Sequence, residues 1–260
     1  MGVKPAIIPE REFEDRAEFL VDYLQSTQRG GFVLGISGGQ DSLLAGSIAQ
    51  SAVERARERG IDAQFHAVLL PYGEQKDRAD AEEACEFIGP DVLHDIQIKP
   101  VVDAFEATYN QSIDDQLRDF DKGNVKARTR MMAQYAIASQ FGLLVIGTDH
   151  AAEAVTGFFT KHGDGAADVL PLSGLNKRQG KQILRSIGAP EKFITKKPTA
   201  DLLDGVPGQA DETELGVTYD QIDDYVEGKE IDARGAEVIE GRFVTTRHKR
   251  NVPIEYGEAL

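Results

Sequence analysis

The chain of 260 residues carries 44 Asp and Glu against 29 Lys and Arg, a net charge of −15 with histidine neutral. An acidic excess of this size repels phosphate backbones and disfavours nucleic acid as the main partner, and no apolar run approaches the ~18 residues that cross a bilayer. The single cysteine, Cys85, allows no internal disulfide and no cysteine-rich zinc site, which suits a cytoplasmic setting.

The length fits one domain over 1–260. Near its start Phe13, Ala17, Leu20 and Leu24 recur at helical spacing within a charged stretch. This amphipathic helix needs a surface, either the rest of its own chain, which is the simpler choice, or a second subunit. Short β-branched and apolar runs follow at 32–36, 65–70, 92–98 and 143–146, far enough apart to hold helices between them. The alternation predicts an α/β fold with an open parallel sheet flanked by helices. Between the first two runs, Leu43, Leu44, Ser47, Ile48, Ser51 and Ala52 form one helical stripe that Gly60 ends. Beyond residue 150 the strand signal fades. Residues 195–216, where Pro198, Gly205, Pro207 and Gly208 sit among Asp, Glu and Thr, are predicted to form a long mobile lid. Helical patterns return at 220–227 and 236–243.

The most informative segment is Gly35-Ile36-Ser37-Gly38-Gly39-Gln40-Asp41-Ser42, which follows a strand pattern and leads into a helix. Gly38 and Gly39 let backbone N–H groups turn inward at a helix N-terminus, an anion-binding arrangement to which Ser37 and Ser42 add hydroxyls. Asp41 is out of place beside a phosphate unless a divalent cation lies between them, as magnesium does when held by carboxylates and substrate phosphates. An ordinary glycine turn with Ser and Asp caps is the weaker reading for a full Ser-Gly-Gly-x-Asp-Ser between strand and helix. No Gly-Lys-Ser/Thr follows, so the loop is not a Walker A motif. Residues 35–39 do satisfy Gly-x-Ser-x-Gly, yet a serine hydrolase is the weaker reading, because no earlier βα loop supplies an oxyanion donor and Asp41 opposes an oxyanion.

Ser-Gly-Gly-x-Asp-Ser resembles the pyrophosphate loop of the N-type ATP pyrophosphatases. Together with Leu-Pro-Tyr-Gly at 70–73, Gly-Asn-Val-Lys-Ala-Arg-Thr-Arg-Met at 123–131, Gly-Thr-Asp-His-Ala-Ala-Glu at 147–153, Thr-Gly-Phe-Phe-Thr-Lys at 156–161, Lys-Pro-Thr-Ala-Asp-Leu at 197–202 and His-Lys-Arg at 248–250, it is similar to the ammonia-dependent NAD synthetases. The resemblance implies a Rossmann-like sheet of the adenine nucleotide alpha hydrolase type. It also implies amidation of deamido-NAD by ammonia at the expense of ATP, through an NAD-adenylate. Other adenylating pyrophosphatases, a tRNA-thiolating enzyme among them, and a nucleotide-binding regulatory module without turnover are the alternatives. Two carboxylates around a scissile phosphate argue against a pure binder.

Residue by residue, the resemblance assigns ATP to 35–42 with Gln75, Thr148, Lys177 and Thr199, and Mg2+ to Asp41 and Glu153. It assigns deamido-NAD to Tyr23, Phe120, Arg128, Phe158, Lys161, Asp168, His248 and Lys249, bound near the interface of a homodimer. Asp41, Glu153, Lys177 and Asp164 are the catalytic candidates, with Asp164 or Asp168 handling the ammonium. Read without the resemblance, Lys126, Arg128 and Arg130 are a solvated basic face, Asp164 stabilises a turn, and His150, with no Cys or His at ligand spacing, is structural. Leu69 stands where the family usually carries Arg, so one ATP contact is expected to be missing or supplied elsewhere. Cys85, flanked by Glu83 and Glu86, is expected to be a poor nucleophile, which favours ammonia over glutamine as nitrogen source.

Overall fold

In the computed structural model, residues 2–74, 77–199, 202–205, 208–251, 253 and 255–257 are described. The chain begins with α1 (Pro9–Thr27), β1 (Gly31–Gly35), α2 (Gln40–Glu58), β2 (Gln64–Leu69), α3 (Arg78–Ile88) and β3 (Val92–Asp95). It continues through α4 (Lys99–Ser112), α5 (Asp119–Phe141), β4 (Leu144–Val145), α6 (Ala151–Thr156) and α7 (Lys177–Ser186). The last elements are α8 (Glu191–Thr195), α9 (Asp211–Leu215), α10 (Tyr219–Val226), α11 (Ala233–Thr245) and α12 (Arg247–Arg250).

The sheet is parallel throughout, in the order β3-β2-β1-β4. Strand β1 is central, and its apolar run is buried on both faces, as a covered parallel strand requires. Its alternate residues serve different cores. Phe32 and Leu34 face the layer that holds α1, α2 and α7, whereas Val33 faces α4 and α5. Two successive βα units carry the sheet outward through β2 to β3, and the chain then returns to add β4 on the other side of β1. That reversal opens a crevice at the carboxyl ends of β1 and β4, where open α/β sheets bind ligands.

Helix α1 buries Ala17, Leu20, Val21 and Leu24 against α2 and α7 of its own chain, so its apolar stripe finds a partner within the same chain. The strand expected over 92–98 ends at Asp95, and Ile98 instead caps α4, an element the sequence pattern did not reveal. A smaller apolar cluster joins α6, α10 and α11 through Val155, Ile222 and Ile239. The segment 195–216, expected as a long mobile lid, has local structure of its own. It contains α9, and Thr199 bridges Ala210 at its base, while residues 200, 201, 206 and 207 lie outside the described residues.

Candidate functional site

The loop after β1 turns at Gly38, whose φ of +74° and close approach to α3 both demand glycine. A Cβ there would meet Ala81 N at 2.7 Å. The Ser37 and Ser42 hydroxyls lie 3.1 Å apart, and Ser37 Oγ accepts from Gly39 N, so the loop is tied to the first turn of α2. That turn carries Asp41. Across the crevice, α7 starts with a capping box of Asn176 and Gln179, and Asp223 accepts from the N–H groups of Lys177 and Arg178 at 3.1 and 2.8 Å. Lys177 thus stands in a helix first turn, where the dipole disfavours a cation. Its ammonium is stabilised from outside, donating to Asp41 Oδ2 at 2.6 Å and lying 4.9 Å from the centre of the Tyr219 ring.

Two more side chains complete the cluster. His150, at the N-cap of α6, and Glu153 in its first turn bring ligand atoms within 4.8 Å of one another and of an Asp41 oxygen. His150 Nε2 is 3.4 Å from Lys177 Nζ, 3.6 Å from Glu153 Oε1 and 3.8 Å from Asp41 Oδ1. Burial would raise the Asp41 carboxyl, but the adjacent Lys177 ammonium holds it below its usual range. Burial raises Glu153 well above that range, and the Asp41 charge adds to the effect. Burial pushes His150 down to about 4, so its ring is neutral. The donor set fits a hard divalent cation, with two carboxylates on one side and an open crevice for phosphate oxygens on the other.

A cleft of about 290 Å³ lies over this cluster. Its lining includes Gly35, Ile36, Ser37, Gly39, Gln40, Asp41 and Ser42 of the loop region, with Thr148, Glu153, Lys177 and Thr199. A second cavity of about 200 Å³ adjoins it, lined in part by Phe120, Phe158, Asp164 and Lys249. Asp164, whose Oδ1 accepts from Thr160 N at 2.9 Å, borders both, and burial raises its carboxyl. Lys249 donates to the carbonyls of Gly157 and Phe159 at 2.9 and 2.8 Å.

Other expected site residues are not brought to these cavities. The Asp168 carboxylate accepts from Val145 N at 2.8 Å and from Tyr135 OH at 3.4 Å, while Tyr23 OH donates to the Asp168 carbonyl. Arg128 is exposed and donates to the Lys161 carbonyl, and His248 is exposed on α12. Gln75 lies outside the described residues.

Three readings are corrected. His150 belongs to the charged cluster itself. Its partners are carboxylates and an ammonium brought in by the fold, so a search for Cys or His spacing misses it. Lys126 is no solvated charge, being 2% exposed. Arg130 and Gln134, with Lys126, recur every four residues along one face of α5 and turn toward the sheet. Arg130 donates to the Leu70 carbonyl at 3.2 Å, Gln134 accepts from Gly35 N at 2.8 Å, and both line the cleft. That spacing was the available signal. Lys196, also unforeseen, reaches the Gly38 carbonyl at 3.3 Å while paired with Asp77 and Asp80. Leu69 packs in the core on the α2 and α3 side of the sheet and does not line the cleft. Cys85 is buried, and burial, not the flanking Glu83 and Glu86, pushes its thiol up to about 11.

The arrangement has matches among known proteins. A family model described as NAD synthase matches residues 12–253. The chain is 62% identical over 253 residues, 97% of its length and 93% of the relative, to the NH(3)-dependent NAD(+) synthetase of Bacillus subtilis. A crystal structure of NAD+ synthetase from Burkholderia pseudomallei superposes with a TM-score of 0.82 at 47% identity, covering 97% of this chain and 93% of that one. An NMN synthetase from Francisella tularensis superposes with a TM-score of 0.86 at 36% identity, covering 97% of this chain and all of that one. With the phosphate loop, the charged cluster and the matched length in agreement, the chain belongs to the NAD synthase family.

Proposed function

We propose that the protein makes NAD from deamido-NAD, ATP and ammonia, working as one synthetase domain. The observation that carries this reading is the convergence of Asp41, Glu153 and Lys177 over the Ser37–Ser42 hydroxyl pair, at the point where the strand order reverses. ATP lies in the larger cleft with its β and γ phosphates on the 37–42 loop, Thr148 and Thr199 at its sides. The nicotinate end of deamido-NAD enters the smaller cavity against Phe120 and Phe158, its carboxylate directed at the α phosphorus.

A carboxylate oxygen bonds to that phosphorus and pyrophosphate leaves, giving an acyl-adenylate. Ammonia then attacks the acyl carbon and AMP departs with the bridging oxygen. Asp41 and Glu153 are the residues that would hold Mg2+, which when bound would neutralise phosphate charge. Lys177 moves its ammonium from Asp41 toward the leaving pyrophosphate, and the loop N–H groups complete the neutralisation. Asp164, at the junction of the two cavities, binds the ammonium and takes its proton. Asp168 is committed to Val145 N and suits this task less.

The reading includes a homodimer. Helix α4 buries only Val102, leaving Val101 and Phe105 about half exposed, and Met132 on α5 is equally bare. Tyr23, Asp168, Arg128, Lys161 and His248 then serve the far half of the dinucleotide near that interface. A cytoplasmic setting is consistent with the buried free thiol of Cys85. The test is to incubate the protein with ATP, Mg2+, deamido-NAD and ammonium. NAD, AMP and pyrophosphate are expected in equal amounts, and ADP as the nucleotide product refutes adenylation.

A further inference from the structure

An acyl-adenylate is open to attack by water as well as ammonia, so an enzyme that forms one must keep the acyl carbon dry. Among the described residues, four border both cavities: Phe158, Asp164, Leu202 and Asp211. Among them Phe158 and Leu202 are apolar, and they come from unrelated parts of the chain. Phe158 follows the end of α6, whereas Leu202 lies in the segment between Thr199 and Ala210.

Leu202 is held there by a built seat on α5. Its carbonyl accepts from Lys126 Nζ at 2.8 Å, and the same ammonium reaches Asp204 Oδ1 at 2.6 Å. Lys122 also pairs with Asp204, at 3.0 Å, and the Asp119 carboxylate accepts from the N–H groups of Asp204 and Gly205, both at 2.9 Å. Lys126 is 2% exposed and lies 4.3 Å from the centre of the Tyr72 ring, whose hydroxyl is anchored on Asp103 at 2.7 Å. A Cβ on Gly123 would come within 3.1 Å of Leu202 Cβ, so glycine at that place lets the leucine seat against α5. A buried lysine with two oxygen partners, a ring beneath it and a glycine opposite fixes one leucine at the boundary of two cavities. Attachment of a surface loop alone does not call for this much.

We propose that Leu202, positioned by Lys126 and Asp204, is the wall that excludes water from the acyl-adenylate while ammonia enters past Asp164. The inference rests on the synthetase reading above. When the wall is breached, a water oxygen bonds to the acyl carbon, the bond from that carbon to the AMP oxygen breaks, and AMP leaves with the electron pair. The two water protons pass to solvent, deamido-NAD is regenerated, and one ATP has been cleaved to AMP and pyrophosphate without gain. Lys126 and Asp204 are the positioning residues, and the signature of the wall they hold is the AMP-to-NAD ratio.

The experiment measures AMP and NAD together for the full-length protein, for Leu202→Ala and for Lys126→Met, which keeps an apolar chain of similar length on the Tyr72 ring. At limiting ammonium the native protein is expected to give a ratio near one. Both variants should give several AMP per NAD, and the ratio should fall back toward one as ammonium is raised, since ammonia competes with water for the same carbon. A ratio of one in a Leu202→Ala protein that still turns over overturns the inference and leaves the synthetase reading standing. A raised ratio that ammonium does not lower also overturns it, because the extra AMP then does not come from the shared intermediate. A native protein that makes no AMP refutes the synthetase reading itself.

Discussion

The Lys177 ammonium sits 2.6 Å from Asp41 Oδ2, joining the N-terminal turns of two helices 136 residues apart. Each group shifts the other. The ammonium keeps Asp41 ionised despite burial, and Asp41, followed by Glu153, keeps Lys177 charged against a burial that would neutralise it. The pair therefore stores a cation beside the phosphate loop, while burial and the Asp41 charge raise the Glu153 carboxyl.

Asp41→Asn removes the negative half of this pair and one metal carboxylate with almost no change of volume. Pyrophosphate release is expected to fall by about 100-fold or more, the scale of losing a preorganised charge at a phosphoryl transfer site. Rapid-quench measurement with labelled ATP reads it directly, and a rate within a few-fold of the native protein contradicts the role.

Leu69→Arg tests which way the end of β2 faces. Leu69 is 2% exposed in the core between the sheet and α2 and α3, so a guanidinium there is buried away from the cleft. The expected outcome is a loss of about 3 kcal/mol or more in urea unfolding, with no gain in ATP affinity. A stable variant with a lower KM for ATP means that the side chain at 69 reaches the nucleotide.

Asp223 receives the first N–H groups of α7, yet burial raises its carboxyl to about 6. An acid whose folded pKa exceeds its unfolded value of 3.8 binds protons more tightly when folded. Its contribution to stability is complete below about pH 4 and is lost as pH rises to about 6. The stability difference between the native protein and Asp223→Asn should therefore shift against the native protein by about 1 kcal/mol between pH 5 and pH 7.5. Paired urea titrations at the two pH values check the sign, and a difference that moves the other way contradicts it.

The nitrogen source follows from Cys85. A buried thiol pushed up to about 11 holds almost no thiolate at neutral pH. The native protein is expected to resist an aromatic disulfide reagent until unfolded, ammonium to support NAD formation, and glutamine cleared of ammonia to give none. Glutamine-dependent turnover that disappears in Cys85→Ser contradicts this.

The 37–42 loop was legible because its chemistry is contiguous: turn glycines, hydroxyls and a carboxylate fall within six residues after an apolar run. The four parallel strands were legible for the same local reason, although β3 stops at Asp95 and α4 carries too few buried residues to mark itself. His150, Arg130 and Lys196 were not legible. Each is recruited by a contact across more than 25 residues of sequence, with Lys177, with the Leu70 carbonyl and with Gly38. The face to which Leu69 belongs was also hidden, because a strand covered on both sides carries no period that distinguishes them. Lys126 looked like one charge in a basic run, and only the seat formed with Tyr72 and Asp204 explains its burial.

The central claim is that the nicotinate carboxylate attacks the α phosphorus of ATP, and an oxygen label follows that bond. With both carboxylate oxygens of deamido-NAD replaced by oxygen-18, a single turnover in ordinary water with ATP, Mg2+ and ammonium should place one labelled oxygen in the phosphate of AMP and leave pyrophosphate unlabelled, as read by phosphorus NMR. AMP free of label, or ADP in its place, contradicts adenylation at this site.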